Sequence, residues 1–139
     1  MKREHGMRVL IADEDEVFLE VAQRYLSRHG LDVKTATNGV ESVALLRRDM
    51  PDIVVLEGEL LWGGSDGVRA LMMQDPAWSE IPVILISDKV PEESWFRRPP
   101  LAAQIQKPYR LEELLAHLQA CRTDGTPNPV SVIVAGRTQ

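Results

Sequence analysis

Five short runs rich in apolar residues punctuate the chain, and they alternate with stretches of helical periodicity. That alternation is the strongest constraint on its fold. A strand apolar on both sides must be covered on both sides, and a parallel sheet with helices on each face meets that demand. The runs are Met7–Ala12, Leu31–Ala36, Asp52–Glu57, Pro82–Ile86 and a weaker Leu101–Ile105. Between them, Val17–Arg28 sets Phe18, Val21, Ala22, Tyr25 and Leu26 largely on one helical face, with Gly30 placed as its C-terminal cap. Asn38 is positioned to cap a second helix, Val40–Arg48, with Val43, Ala44 and Leu46 inward. Pro51-Asp52 ends it. Asp66 opens a third helix reaching Gln74, and Leu111, Leu114, Leu115 and Leu118 mark the last.

In a sheet of this kind ligands bind beyond the C-terminal strand ends. The residues at those ends are Asp13-Glu14, Glu57, Ser87-Asp88 and Lys107. Connectivity alone therefore gathers acids, a hydroxyl and a lysine on one edge. Carboxylates at strand ends suit a hard divalent cation such as Mg²⁺. A hydroxyl and a lysine beside them suit the oxygens of a phosphoryl group.

The length of 139 residues fits one domain, 7–121, between a short N-terminal tail, 1–6, and a linker-like tail, 122–139. Within that tail, 130–135 reads as an added edge strand, a partner-binding strand, a loose tail or the start of an output domain. The net charge of -5 argues against generic binding to nucleic acid or an anionic membrane. A single cysteine, Cys121, removes an internal disulfide and fits a cytoplasmic protein. The turn after the first strand is acidic and lacks G-x-G-x-x-G, and no G-x-x-x-x-G-K-[ST] or G-x-S-x-G stretch is present. Dinucleotide, P-loop and serine-hydrolase chemistry are thereby disfavoured. His5, His29 and His117 are scattered without ligand spacing.

Val9-Leu10-Ile11-Ala12-Asp13-Glu14, Pro51 to Glu57, Asp66-Gly67, Ile81 to Ser87 and Lys107-Pro108-Tyr109, in that order, resemble the receiver domain of two-component response regulators. The resemblance implies a flavodoxin-like α/β fold: a single doubly wound, five-stranded parallel sheet of order 2-1-3-4-5. It implies that Asp13, Glu14, Glu57 and the Glu59 backbone carbonyl hold Mg²⁺. It also implies that Ser87 and Lys107 grip a phosphoryl group, and that Gln104 takes the position of a switching aromatic residue. Glu57 falls where the family carries an aspartate that accepts phosphate from a histidine kinase.

Four departures stand out. Glu57 carries one methylene too many, moving its carboxylate outward by about 1.5 Å. A misplacement of ~1 Å costs about 10²-fold in a geometry-dependent reaction. Asp88 adds charge at the pocket mouth, where the family has a small residue. Gln104 replaces an apolar switch. The segment between Val90 and Pro100 has room for only about two helical turns before Pro99-Pro100. The loop from Gly58 to Ser65 is long, and Leu60, Leu61 and Trp62 make it a lid or a contact patch. The expectation is an atypical, non-enzymatic pseudo-receiver that signals by contact with a histidine kinase or downstream effector, with room for a homodimer. One rival is a phosphorylation-competent receiver using Glu59 or Asp66. Another is a small metal-dependent phosphotransfer or hydrolytic enzyme.

Overall fold

Every β-strand in the computed structural model runs parallel to its neighbours, as the apolar runs require. The structure describes residues 6–58, 64–88, 101–124 and 131–132. In chain order the elements are β1 (Arg8–Ala12), α1 (Glu16–Ser27), β2 (Asp32–Ala36), α2 (Gly39–Asp49), β3 (Ile53–Glu57), α3 (Gly64–Gln74), β4 (Val83–Ser87), β5 (Leu101–Gln106), α4 (Leu111–Asp124) and β6 (Ser131–Val132). The sheet order is β2-β1-β3-β4-β5-β6, so the expected 2-1-3-4-5 arrangement carries a short sixth strand beyond β5. The third helix begins at Gly64, two residues before the expected Asp66. The expected two-turn segment between Val90 and Pro100 and most of the Gly58–Ser65 loop, including Glu59 and Trp62, lie outside the described residues.

Strand residues alternate between two buried layers. Val9, Ile11, Ile53, Val55, Ile84 and Ile86 pack with Leu19, Ala22 and Leu26 of α1 and Leu114 and Leu118 of α4. Leu10, Val54, Leu56, Val83 and Leu85 pack with Leu46 of α2 and Val68 and Met72 of α3. Burying each large aliphatic side chain is worth about 1.5–3 kcal/mol, so each layer outweighs any single polar contact at the rim. The apolar faces expected for the helices are broader than those observed. Val21 is exposed on α1 and Ala44 is exposed on α2, while Leu19 takes the inward position instead. Among the described residues no helix is long and apolar enough to cross a membrane.

Helix ends follow their capping residues. Asp15 caps α1, its Oδ1 accepting the Phe18 N–H at 3.1 Å. At the other end Gly30 adopts φ +87°, with Gly30 N–H donating to Ser27 O and Leu31 N–H to Leu26 O. This is the Schellman pattern, in which a glycine takes the left-handed conformation without a Cβ penalty. Asn38 caps α2 through its Oδ1 to the Glu41 N–H at 2.9 Å. Glu41 reaches back to the Thr37 N–H at 2.7 Å and the Thr37 hydroxyl at 2.8 Å. Asn38 thus satisfies the Glu41 N–H, while Glu41 reaches one residue past the cap to Thr37, a variant of the capping box. At the β2 edge of the sheet, Gln23 Nε2 donates to Val33 O at 2.8 Å.

Replacing Asn38 by alanine removes the cap without touching either core layer. The expected loss is about 1 kcal/mol, read as a lowered thermal midpoint of roughly 2–4 °C. Asn38→Asp, which keeps the acceptor, is expected to retain most of the stability.

Candidate functional site

Main-chain bonds at the strand ends fix where the charged side chains stand. Asp13 N–H donates to Ala36 O at 3.0 Å, holding the residue after β1 against the end of β2. Asp13 Oδ1 then accepts the Asp15 N–H at 2.8 Å, immediately before the capped start of α1. Gly58 N–H donates to Ile86 O at 2.7 Å, and Lys107 N–H donates to Ser87 O at 2.9 Å. The ends of β3, β4 and β5 are thereby stitched together in one row. A Cβ built on Gly58 would come within 3.3 Å of Ile86 O and 3.4 Å of Ser87 Cβ. Glycine permits this close approach, which brings β3 against the Ser87 side chain.

The row delivers a buried carboxylate to a lysine. Glu57 is 4% exposed, and its Oε1 lies 2.5 Å from Lys107 Nζ. The lysine side chain is 42% exposed, so its stem reaches in from the rim while water still screens part of the pair. Burial alone would depress the Lys107 pKa. The hydrogen bond and charge of Glu57, with the charges of Asp13 and Asp88, outweigh burial and hold it above the ordinary lysine range.

Asp13 is half-buried beside this pair. Burial pushes its carboxyl up, and the Asp15 N–H pulls it down. The charge of Glu57 raises it again, against a smaller lowering by Lys107 and a smaller raising by Asp15, and the net shift is upward. Tyr109 follows the cis Lys107–Pro108 bond and packs edge-on against Phe18 of α1, with ring centroids 6.2 Å apart. Its phenol is pushed well up by burial, then by the charges of Asp13 and Glu57, so it stays neutral at physiological pH.

The expected site residues fall into three groups. Asp13, Glu57, Ser87 and Lys107 stand together, and the charge of Asp88 reaches Lys107 although Asp88 itself is exposed. Glu14 is exposed and, among the described residues, makes no hydrogen bond or ion pair. Gln104 is 1% exposed and lies opposite Leu85 in the β4–β5 ladder. Glu59 lies outside the described residues. Among those residues no three His, Cys, Asp or Glu side chains gather as a metal-holding group. The oxygen donors present suit a largely hydrated Mg²⁺, which needs only one or two carboxylates. Asp13 is the available donor, since Glu57 already meets an ammonium. Sequence reasoning passed over Gly58 and the surroundings of Tyr109. The Glu57-Gly58 dipeptide at a strand end was the available signal for the first, and Tyr109 carried none beyond its place after Lys107-Pro108.

Removing Lys107 takes from the buried Glu57 the ammonium that its Oε1 meets. Lys107→Ala is expected to cost about 1–2 kcal/mol, below the roughly 3–5 kcal/mol for breaking a fully buried pair, because this lysine is partly hydrated. Adding Glu57→Gln to that variant is expected to recover most of the loss, measured as a double-mutant cycle in urea. A second expectation concerns pH. A carboxyl whose pKa rises on folding stabilises the folded state only while protonated, so Asp13 favours folding below the ordinary aspartate range and opposes it once pH climbs through the raised value. Asp13→Asn keeps an oxygen for the Asp15 N–H. It is expected to raise the thermal midpoint at neutral pH, and the gain is expected to vanish on acidification below about pH 4.

A family model described as the response regulator receiver domain matches residues 9–119. The response regulator MprA of Mycobacterium leprae (strain TN) is 30% identical over 131 residues, covering 93% of this chain and 57% of that protein. The MprA of Mycobacterium bovis is 28% identical over 134 residues, covering 95% and 57% respectively. The chain spans about half the length of the curated relatives it matches. Among solved structures, the Francisella response regulator 1452 receiver domain has a TM-score of 0.77 at 18% identity, over 87% of this chain and 100% of that one. The chemotaxis response regulator CheY4 of Vibrio cholerae has a TM-score of 0.75 at 17% identity, over 83% and 98%. At such identities these two likenesses concern the fold. The family match extends from β1 into α4 and takes in every strand end that builds the site, and the chain belongs to the response regulator receiver domain family.

Proposed function

We propose that this chain is a pseudo-receiver, a receiver domain that signals through protein contact without phosphorylation at Glu57. One observation carries the reading: the buried Glu57 carboxylate at the acceptor position is already paired with Lys107 at 2.5 Å. A nucleophile needs a free carboxylate oxygen in line with the incoming phosphorus. Glu57 is longer than aspartate and is held against the ammonium that would otherwise meet a phosphoryl oxygen. It supplies one fixed negative charge where a phosphorylated aspartate would carry nearly two.

The surroundings support the same reading. Asp13 and Asp88 both act electrostatically on Lys107, so an anionic phosphodonor approaching the lysine meets acids around it. Mg²⁺ bound through Asp13, with Glu14 nearby in sequence, would relieve part of that charge. Gln104, buried where the family has a switching aromatic ring, fixes a polar amide against β4 and gives no apolar side chain to swing inward. The histidine kinase or downstream effector that reads this domain would then recognise a standing surface in the cytoplasm, and the domain itself turns nothing over.

Intact-mass measurement after incubation with acetyl phosphate and Mg²⁺ tests this directly. The expected spectrum lacks an adduct of about 80 Da, the mass of one phosphoryl group. An acid-labile adduct that disappears in Glu57→Gln would overturn the proposal. Glu57→Asp restores the shorter side chain. Phosphorylation of that variant would assign the loss to side-chain length, and its absence would assign it to the acidic mouth around Asp88.

A further inference from the structure

Large exposed apolar side chains among the described residues fall mainly into two patches on opposite sides of the sheet. On α1, Val17 and Val21 stand one turn apart and are 72% and 52% exposed. With Glu16 and Glu20 beside them, they form an apolar ridge with an acidic flank. On the other side, α2 and α3 leave a groove of about 390 Å³ between them. Val40, Val43, Ala44, Gly67 and Leu71 supply its walls, and Arg47 is its charged lining residue. Gly67 leaves room at its Cβ position, where nothing lies within 4 Å. The Arg47 guanidinium is stationed 5.8 Å from the centre of the Trp78 ring, a cation–π contact that holds it at the end of the groove.

We infer that the α2–α3 groove receives the α1 ridge of a second copy of this chain. Three features fit ridge to groove. The valines, at i and i+4, present one narrow row of the kind that packs between two helices. The acidic flank of α1 complements Arg47. In antiparallel docking the N-terminal end of α1 meets the C-terminal end of α2, where Glu16 and Glu20 face the cation and the helix dipoles align favourably. Glu16 makes no ion pair among the described residues, so its charge is available to Arg47. Glu20 pairs with Arg24 on its own helix at 3.1 Å, both largely exposed.

Ridge and groove lie on opposite faces of the sheet, α1 with α4 and α2 with α3. One such contact therefore leaves a free groove on one copy and a free ridge on the other. The association is head-to-tail and does not close on a two-fold axis. One helix in one groove is a small interface, and the net charge of -5 opposes assembly. Short oligomers at high concentration are the outcome, lengthening as the concentration rises.

Sedimentation velocity of the full chain over a concentration series tests the inference. The weight-average mass is expected to rise with concentration. Val21→Asp spoils the ridge and Leu71→Asp spoils the groove. Both sites are substantially exposed, so each variant is expected to fold, checked by circular dichroism, and to sediment as a monomer. Mixed in equal amounts the two are expected to form a dimer and nothing larger, because one retains a groove and the other a ridge. Arg47→Glu is expected to weaken assembly by about tenfold or more, and Glu16→Arg in the same chain to restore part of it. A monomer at every concentration would leave the groove to a different protein and overturn the inference. A dimer that survives Val21→Asp would place groove against groove and overturn it equally, as would a mixture of the two variants that stays monomeric.

Discussion

A carboxylate in the middle of a parallel sheet needs a cation, and the contact between Glu57 and Lys107 meets that need. Taking a carboxylate out of water is costly, several kcal/mol even after relaxation, so the end of β3 depends on what the end of β5 brings. Because both faces of the sheet are apolar, inward–outward alternation does not choose the strand register. The end bonds choose it: Asp32 to Met7, Asp52 to Arg8, Gly58 to Ile86 and Lys107 to Ser87. Slipping one strand by one residue would move a side chain by about 3.3 Å along the sheet and to its other face. The site is therefore as firm as these bonds, and its chemistry is a property of the sheet ends more than of any one loop.

Much of this is legible in the amino-acid sequence. The five apolar runs are strands, and the five expected strands keep the expected order. The convergence of Asp13, Glu57, Ser87 and Lys107 followed from connectivity, since a parallel sheet sends every strand's last residue to the same edge. What escaped was of two kinds. Periodicity predicts Val21 and Ala44 inward, because it marks a stripe without its width. α1 buries a narrower stripe centred on Leu19, Ala22 and Leu26. Gly58 and Tyr109 depend on distances between strands and between α1 and the β5–α4 connection, and no local pattern encodes those.

Gln104 and Glu57 share one physical feature. Each places a polar group where movement would be expensive: Glu57 is tied to Lys107, and Gln104 is enclosed beside Leu85. A switch needs two arrangements of similar free energy. Buried polar groups that already have partners lower one arrangement relative to others, because leaving a partner strands the group. Under the proposed pseudo-receiver reading the domain would be weighted toward a single arrangement, and a surface that does not change would serve recognition better than relay.

The amide of Gln23, resting on the carbonyl of Val33, has a consequence away from the site. Among the described residues β2 ends the sheet, and an end strand with open carbonyls is a template on which another chain's strand can extend the ladder. One side chain from α1 occupies an acceptor in the middle of that strand. Growth of the sheet past β2 would first have to displace it.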